Sequence, residues 1–346
     1  MRAVELPGLT PDFERRSVTA LRDAVSHADL GEAERCMDEL TGRLWESVMA
    51  PVVRAVGTGT PTVLIPDGPL GMLPLHAAAR PDPRTPTGRR FVIDDISVAM
   101  APSARTLSVA VARASEAPVR RLLAVRDPSP SGEPPLPGAA AEIQRVRAAL
   151  PPRIRVRELH GVAATRQEVQ QALAEAEICH FACHAHVHAE RPLDGGLSLA
   201  DGERLTVRDM FAMPTITARL AVLSACDSGR VDESLPEEVV GLATGFLQAG
   251  FGAVIASLWP LEDAPAAAQM ALTYRYWLGE GKTLPAAVGS AMAWLRDSTN
   301  EEKFAAFPEL SDFAPADSAM ADDPEWPGVR EHSSPLVWAA VTCLGI

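Results

Sequence analysis

The sequence predicts an α/β protein whose sheet is mostly parallel and covered by helices on both faces. Short apolar runs such as Val63–Ile65 and Ala221–Leu223 read as buried strands. The segments between them carry apolar residues at helical spacing. Polar or proline-rich turns separate the two kinds of element, and this regular alternation is the pattern of strands crossed over by helices.

Taken in order, residues 12–56 read as helix, with Leu21, Ala24, Val25, Ala28, Leu40, Leu44, Val48 and Val52 recurring among charged residues. "TPTVLIPDGPLGMLPLHAA" (60–78) opens with a strand that Pro66-Asp67-Gly68 ends. "FVIDDISVAMAPSARTL" (91–107) gives a second strand and leads into a helix, and 120–150 repeats strand, proline-rich loop and helix. A helix follows over 161–177, where Thr165 and Glu168 suit a capping box. "ICHFACHA" (178–185) and "RLAVLSACDSG" (219–229) are strands, the latter running into a turn. Residues 235–250 form a helix with Pro236 near its start and Gly250 at its end. A strand over 251–263, a helix over 264–281 and a last strand over 335–345 complete the series. Residues 297–334 form a long acid-rich insertion whose Glu309, Asp312, Asp317, Asp322, Asp323 and Glu325 cannot build a core. It reads as a solvated excursion or as a lid or docking segment.

Composition narrows the function. The 346-residue chain carries a net charge of −13, which argues against direct nucleic-acid binding, because phosphate contacts need basic patches. It has no apolar run of roughly 20 residues and no signal-peptide core, so a cytoplasmic protein with no membrane contact is expected. Its five cysteines, at 36, 179, 183, 226 and 343, are odd in number and irregularly spaced, which suits a reducing compartment better than a disulfide framework.

Four of the eight histidines fall in "HFACHAHVHAE" (180–190). Zinc wants four ligands converging on one point. A strand instead sends His180 and His184 to one face and Cys179, Phe181 and Cys183 to the other, and no second Cys/His pair follows. A catalytic reading needs one histidine at the strand's end and a nucleophile nearby. Cys226, in the turn of "LSACDSG", fits that place, and an adjacent imidazole would favour its thiolate. From spacing alone Cys226 is more readily a small buried hydrophobe, the commonest fate of a free cysteine.

The series "ICHFACHAH", "PLDGGLSLADGERLTVRDM", "ARLAVLSACDSG", "EEVVGLATGFLQAGFGAVIASLWPLED" and "PLVWAAVTCLG" resembles the CHAT family, caspase-like cysteine peptidases of clan CD. "VLIPDGPLGMLPLHAA" and "DDISVAMAPSARTL" resemble that family's N-terminal half, so the likeness runs from about residue 45 to 346. The resemblance implies a three-layer caspase-like fold. Its parts would be a helical segment (1–56), a degenerate N-terminal half (57–160) and a catalytic half (161–346) bearing the acidic insertion. It implies His184 as general base and Cys226 as nucleophile, with the N–H groups of Ala185 and Cys226 as oxyanion hole. Ala185 replaces the family's usual glycine, a change that costs about 1–2 kcal/mol if the backbone there is left-handed. His180 becomes a structural residue.

The segment Ser257–Asp263 resembles the stretch that pairs with substrate backbone. Ser257, Leu258, Trp259, Asp263 and Asp227 are therefore the candidate substrate-binding residues; Trp259 is as readily a core residue. Ser224 stands where basic-specific relatives carry an Asp, so an uncharged or hydrophobic residue is expected before the cut, although Asp194, Asp227 or Asp263 would make a negative pocket. The family needs no metal or organic cofactor. Its expected partners are a protein or peptide substrate and an activator or adaptor protein, and its members' roles in CRISPR- and gasdermin-linked defence suggest a bacterial stress or defence setting. A catalytically silent scaffold is the alternative.

Overall fold

A computed structural model describes residues 3–114, 119–186, 191–213, 216, 218–224, 235–308 and 323–346. The chain opens with three helices, α1 (Pro11–Ser26), α2 (Leu30–Leu44) and α3 (Ala50–Val56), the last two joined by a wider helical turn. The sequence suggests one helix over 12–56, but the chain breaks at 27–29. Asp29 there leaves helical geometry and accepts the Glu32 N–H, capping α2. Next come β1 (Thr62–Leu64), the hairpin strands β2 (Ala79–Pro81) and β3 (Arg89–Phe91), α4 (Val92–Asp95), β4 (Val98–Met100) and α5 (Ala104–Ala114). β5 (Arg121–Pro128), α6 (Pro137–Ala149), β6 (Arg155–Gly161), α7 (Arg166–Leu173) and β7 (Ile178–Ala182) form a run of alternating elements.

A small antiparallel sheet, β8 (Ala185–His186), β9 (Gly196–Ser198) and β10 (Arg204–Thr206), leads through α8 (Val207–Ala212) to β11 (Leu220–Leu223). The chain continues with α9 (Leu235–Gln248), β12 (Ala253–Ser257), α10 (Asp263–Tyr274), α11 (Leu284–Asp297), α12 (Asn300–Ala306) and β13 (Val341–Gly345). Among the described residues no helix is long and apolar enough to cross a membrane.

Eight strands form one sheet in the order β1-β4-β13-β12-β11-β7-β5-β6. β6, β5, β7, β11 and β12 run parallel, β13 reverses against β12, and β4 and β1 follow β13 in parallel. Alternation along β7 identifies the covering layers. His180 meets Glu142 of α6 and Tyr274 of α10, while Phe181 turns the other way onto Phe246 of α9. The expected α/β architecture with helices on both faces is therefore present. β7, β11, β12 and β13 are buried at every position, which explains their largely apolar composition.

Several boundaries differ from the sequence reading. Residues 155–161, "RVRELHG", form edge strand β6, although their charges gave no strand signal; one face is solvated, so arginines are tolerated there. α7 starts only at Arg166, where Thr165 accepts the Glu168 N–H. In the last segment, Pro335–Trp338 is a helical turn and only Val341–Gly345 is strand. The acid-rich insertion is not irregular throughout. Thr299 and Glu302 cap α12 reciprocally, and Lys303 is fully buried with its ammonium donating to the Ser298 carbonyl. Residues 309–322 lie outside the described residues.

Candidate active site

The five buried residues of β7 deliver the chain to its carboxyl end, where ligands of parallel sheets bind. There His184 is buried, 8% exposed, and its Nε2 lies 2.8 Å from the carbonyl oxygen of Pro134. A carbonyl only accepts, so Nε2 carries a proton, and in the neutral ring Nδ1 holds the lone pair.

The loop that presents Pro134 leaves β5 through a bulge. Pairing with β6 skips Asp127, whose φ of +40° is left-handed. The Asp127 carboxylate accepts the Leu136 N–H at 3.0 Å, closing the loop on itself. Further ties come from outside. The Gly202 N–H donates to the Pro130 carbonyl (3.1 Å), and His186 Nε2 sits 3.1 Å from Glu133 and 2.8 Å from Ser198 Oγ.

Ala185 begins β8. The Ser198 N–H donates to the His184 carbonyl (2.8 Å), so residues 184 and 198 are a bonded pair of the antiparallel ladder. Ala185 opposite Leu197 is then a non-bonded pair, and its N–H faces away from β9. Its φ is not among the left-handed ones, so the steric cost anticipated for an alanine here does not arise.

Beneath this edge lies a buried hydrogen-bond chain. Tyr274 Oη is 3.1 Å from His180 Nδ1, His180 Nε2 is 2.9 Å from Glu142, and Ser224 Oγ donates to the other Glu142 oxygen at 2.9 Å. Burial first, then the Glu142 charge, pushes the Tyr274 phenol well above its ordinary pKa, which keeps it an O–H donor. His180 thus bridges the Tyr274 hydroxyl and the Glu142 carboxylate, to which its Nε2–H donates. A pocket opens above, lined by Leu136, Glu142, Ala182, Cys183, Ser224, Ser257, Leu261 and Asp263 among others.

Of the residues proposed from sequence, His184, Ala185, Ser257 and Asp263 gather at this end of the sheet. Leu258 and Trp259 point into the core: the Leu258 N–H bonds the Ala340 carbonyl at 2.5 Å, and the buried Trp259 indole donates to Leu336 at 2.7 Å. Asp194 pairs with Arg208 at 2.8 Å and with Arg191 at 3.4 Å. Cys226 and Asp227 lie outside the described residues. β11, from which the chain runs to Ser224, lies parallel beside β7 with Leu223 opposite Phe181. Three other cysteines are poor nucleophiles. Burial pushes the Cys179 and Cys183 thiols far up and raises Cys343 to about 12.

Sequence reasoning missed Glu142, Pro134 and Asp127. Glu142 had a signal, because it falls on the stripe of Ala139, Ile143 and Val146 that α6 buries. Pro134 acts through a carbonyl, which every residue carries.

No curated protein matches the chain by sequence. Three solved structures share its arrangement distantly. The Arg-specific cysteine proteinase gingipain R is 11% identical, with 96% of this chain and 73% of that one covered at a TM-score of 0.48. The complex of Porphyromonas gingivalis RgpB pro- and mature domains is 10% identical, with 96% and 74% covered at 0.49. The Saccharomyces cerevisiae separase–securin complex is 12% identical, covering 99% of this chain but 22% of that one, also at 0.49. The CHAT domain family itself matches residues 38–346, which include every strand of the sheet and the whole of the site around His184, and to that family this chain belongs.

Proposed function

We propose that the protein is a cysteine endopeptidase in which His184 and Cys226 form a dyad. The observation that carries this reading is the hydrogen bond from His184 Nε2–H to the Pro134 carbonyl, which turns Nδ1 into the ring's base at the carboxyl end of β7. In this reading Nδ1 takes the Cys226 S–H proton, and the thiolate attacks the scissile carbonyl carbon. The Ala185 N–H, which faces away from its ladder partner, would help hold the oxyanion with the N–H of Cys226. His184 then returns the proton to the departing amine, and water cleaves the thioester to regenerate the thiol. The three other described buried cysteines have raised thiols, which further favours Cys226 as the nucleophile.

The substrate is a protein or peptide, cut under control of an activator or adaptor, in a bacterial stress or defence response. Trp259 serves the core in this reading rather than a substrate pocket. The test is a search for new protein N-termini in a lysate of the source cells after adding wild-type protein or Cys226→Ala. Termini made only by the wild type support the peptidase. If none appears with the native activators present, the chain is a catalytically silent CHAT scaffold.

A further inference from the structure

Strand β6 is the outer strand of the sheet, bonded to β5 on one side; among the described residues no strand meets its other side. The Arg155 N–H donates to the Arg120 carbonyl at 2.8 Å, so Arg155 faces β5. In a parallel pair a residue sends its N–H and C=O to the same side, and the next residue sends them to the other. Val156, Glu158 and His160 therefore aim main-chain groups outward. The His160 carbonyl takes the Ala163 N–H at 3.1 Å, which leaves the carbonyls of Val156 and Glu158 and all three N–H groups along the edge. Such a row can bond an added strand of about five residues.

The chain carries a net charge of −13, yet this end of the sheet is basic. Arg155 and Arg157 are exposed and, with Arg121, rim a hollow floored by Leu123, Ala172 and Ala176. Glu168 engages Arg157 at 2.7 Å and Glu177 engages Arg121 at 2.9 Å. Arg120, Arg153 and Arg155 pair with no carboxylate among the described residues, so arginines outnumber glutamates here even with Glu175 at the rim. On the opposite face Glu158 is held by Arg126 and Arg147, each at 2.7 Å.

A second copy is a poor occupant of this edge. Twofold antiparallel pairing about the middle of β6 sets Arg157 opposite Arg157 or Glu158 opposite Glu158, and like charges directly opposite repel. An acidic strand meets no such penalty. Its alternate side chains share one face, so acids at every second position lie beside Arg155 and Arg157.

We propose that the open edge of β6 docks an extended acidic segment of a partner protein as a ninth strand of the sheet, its alternate carboxylates meeting Arg155 and Arg157. Val156 is level with Ile178 of β7, both opposite Leu122 of β5. Extended chain from Ile178 to His184 covers about 20 Å. The docked strand therefore leaves the candidate active site open, as an adaptor must, although the surface does not depend on the peptidase reading.

The test uses the full chain and dye-labelled peptides of about ten residues, the length of a long strand. One alternates glutamate with valine and one alternates lysine with valine. Two further copies of the glutamate peptide carry N-methyl groups, on the valine amides or on the glutamate amides. Dissociation constants come from fluorescence anisotropy. The glutamate peptide should bind at least about tenfold more tightly than the lysine peptide, and Arg155→Glu should remove that margin. Only alternate amides face β6, so one methylated copy should lose about tenfold or more and the other should keep its affinity. His160→Pro removes an outward N–H and no bond to β5, and should weaken binding about fivefold. Both substituted residues are exposed, and melting curves check that the variants fold. If His160→Pro does not fold, the methylated peptides carry the main-chain arm.

Equal binding of the lysine peptide, the same result from both methylated copies, or full affinity in folded Arg155→Glu overturns the proposal. A single-stranded oligonucleotide that binds as tightly as the glutamate peptide overturns it too, by marking a plain anion surface. So does a dimer of the chain in sedimentation that His160→Pro dissolves, which would seat a second copy on the edge. Affinity should be the same in Cys226→Ala. A peptide bound only when Cys226 is present is a substrate and removes this surface, whereas unchanged binding by a chain that cuts nothing leaves the surface and removes the peptidase.

Discussion

Asp127 tests how the site is built, because its contribution can be worked out from two separate effects. Its carboxylate accepts the Leu136 N–H at 3.0 Å, two residues beyond the carbonyl that fixes His184. Losing a hydrogen bond to a charged, half-buried acceptor costs about 1.5 kcal/mol. Its φ of +40° is a left-handed conformation that Asp and Asn tolerate and alanine does not, worth roughly 1 kcal/mol more. Asp127→Ala should therefore lower stability by about 2.5 kcal/mol. Asp127→Gly removes the bond but not the conformation, for about 1.5 kcal/mol. Asp127→Asn keeps an acceptor and the conformation, for under about 1 kcal/mol. Urea denaturation should rank the variants Asn, Gly, Ala in falling stability. Nitrogen-15 spectra of the His184 ring should show the fixed Nε2–H tautomer in Asn and its loss in Ala. An alanine variant as stable as the asparagine variant would refute the account of the bulge.

Three other outcomes are expected. Burial lowers His76 and His332 from 6.5 to about 4, so the unfolded chain binds more protons between those values and stability is lost as pH falls through that window. Each should remove about 2 kcal/mol by pH 5 relative to pH 7, and urea midpoints equal at the two pH values would contradict this. Gly138→Ala should push Asp263 aside, costing about 1–3 kcal/mol; unchanged melting would show that the contact gives way easily. In the native protein iodoacetamide should leave Cys179, Cys183 and Cys343 unmodified and label them only after denaturation, as mass spectrometry would show.

The sequence by itself determined the alternation of strands and helices, because strands buried on both faces are largely apolar. It also carried the family motifs and so singled out His184 and Cys226 among many histidines and cysteines. Edge strand β6 was illegible, since a strand with one solvated face and three arginine or glutamate side chains has no apolar run to show. The break between α1 and α2 was a matter of one capping aspartate within a continuous helical spacing. Tertiary structure alone decided the surroundings of His184. The partner of His184 is a main-chain carbonyl fifty residues earlier in the chain, and a carbonyl leaves no trace in residue type. Only the fold shows that Trp259 serves the core, that Ala185 avoids a left-handed backbone, and that Glu142 and Asp263 meet at one pocket. Burial patterns are local and repeat along a strand or helix, so they can be read from sequence. The meeting of a helix carboxylate with a strand end depends on how distant segments pack, and no spacing along the chain encodes it.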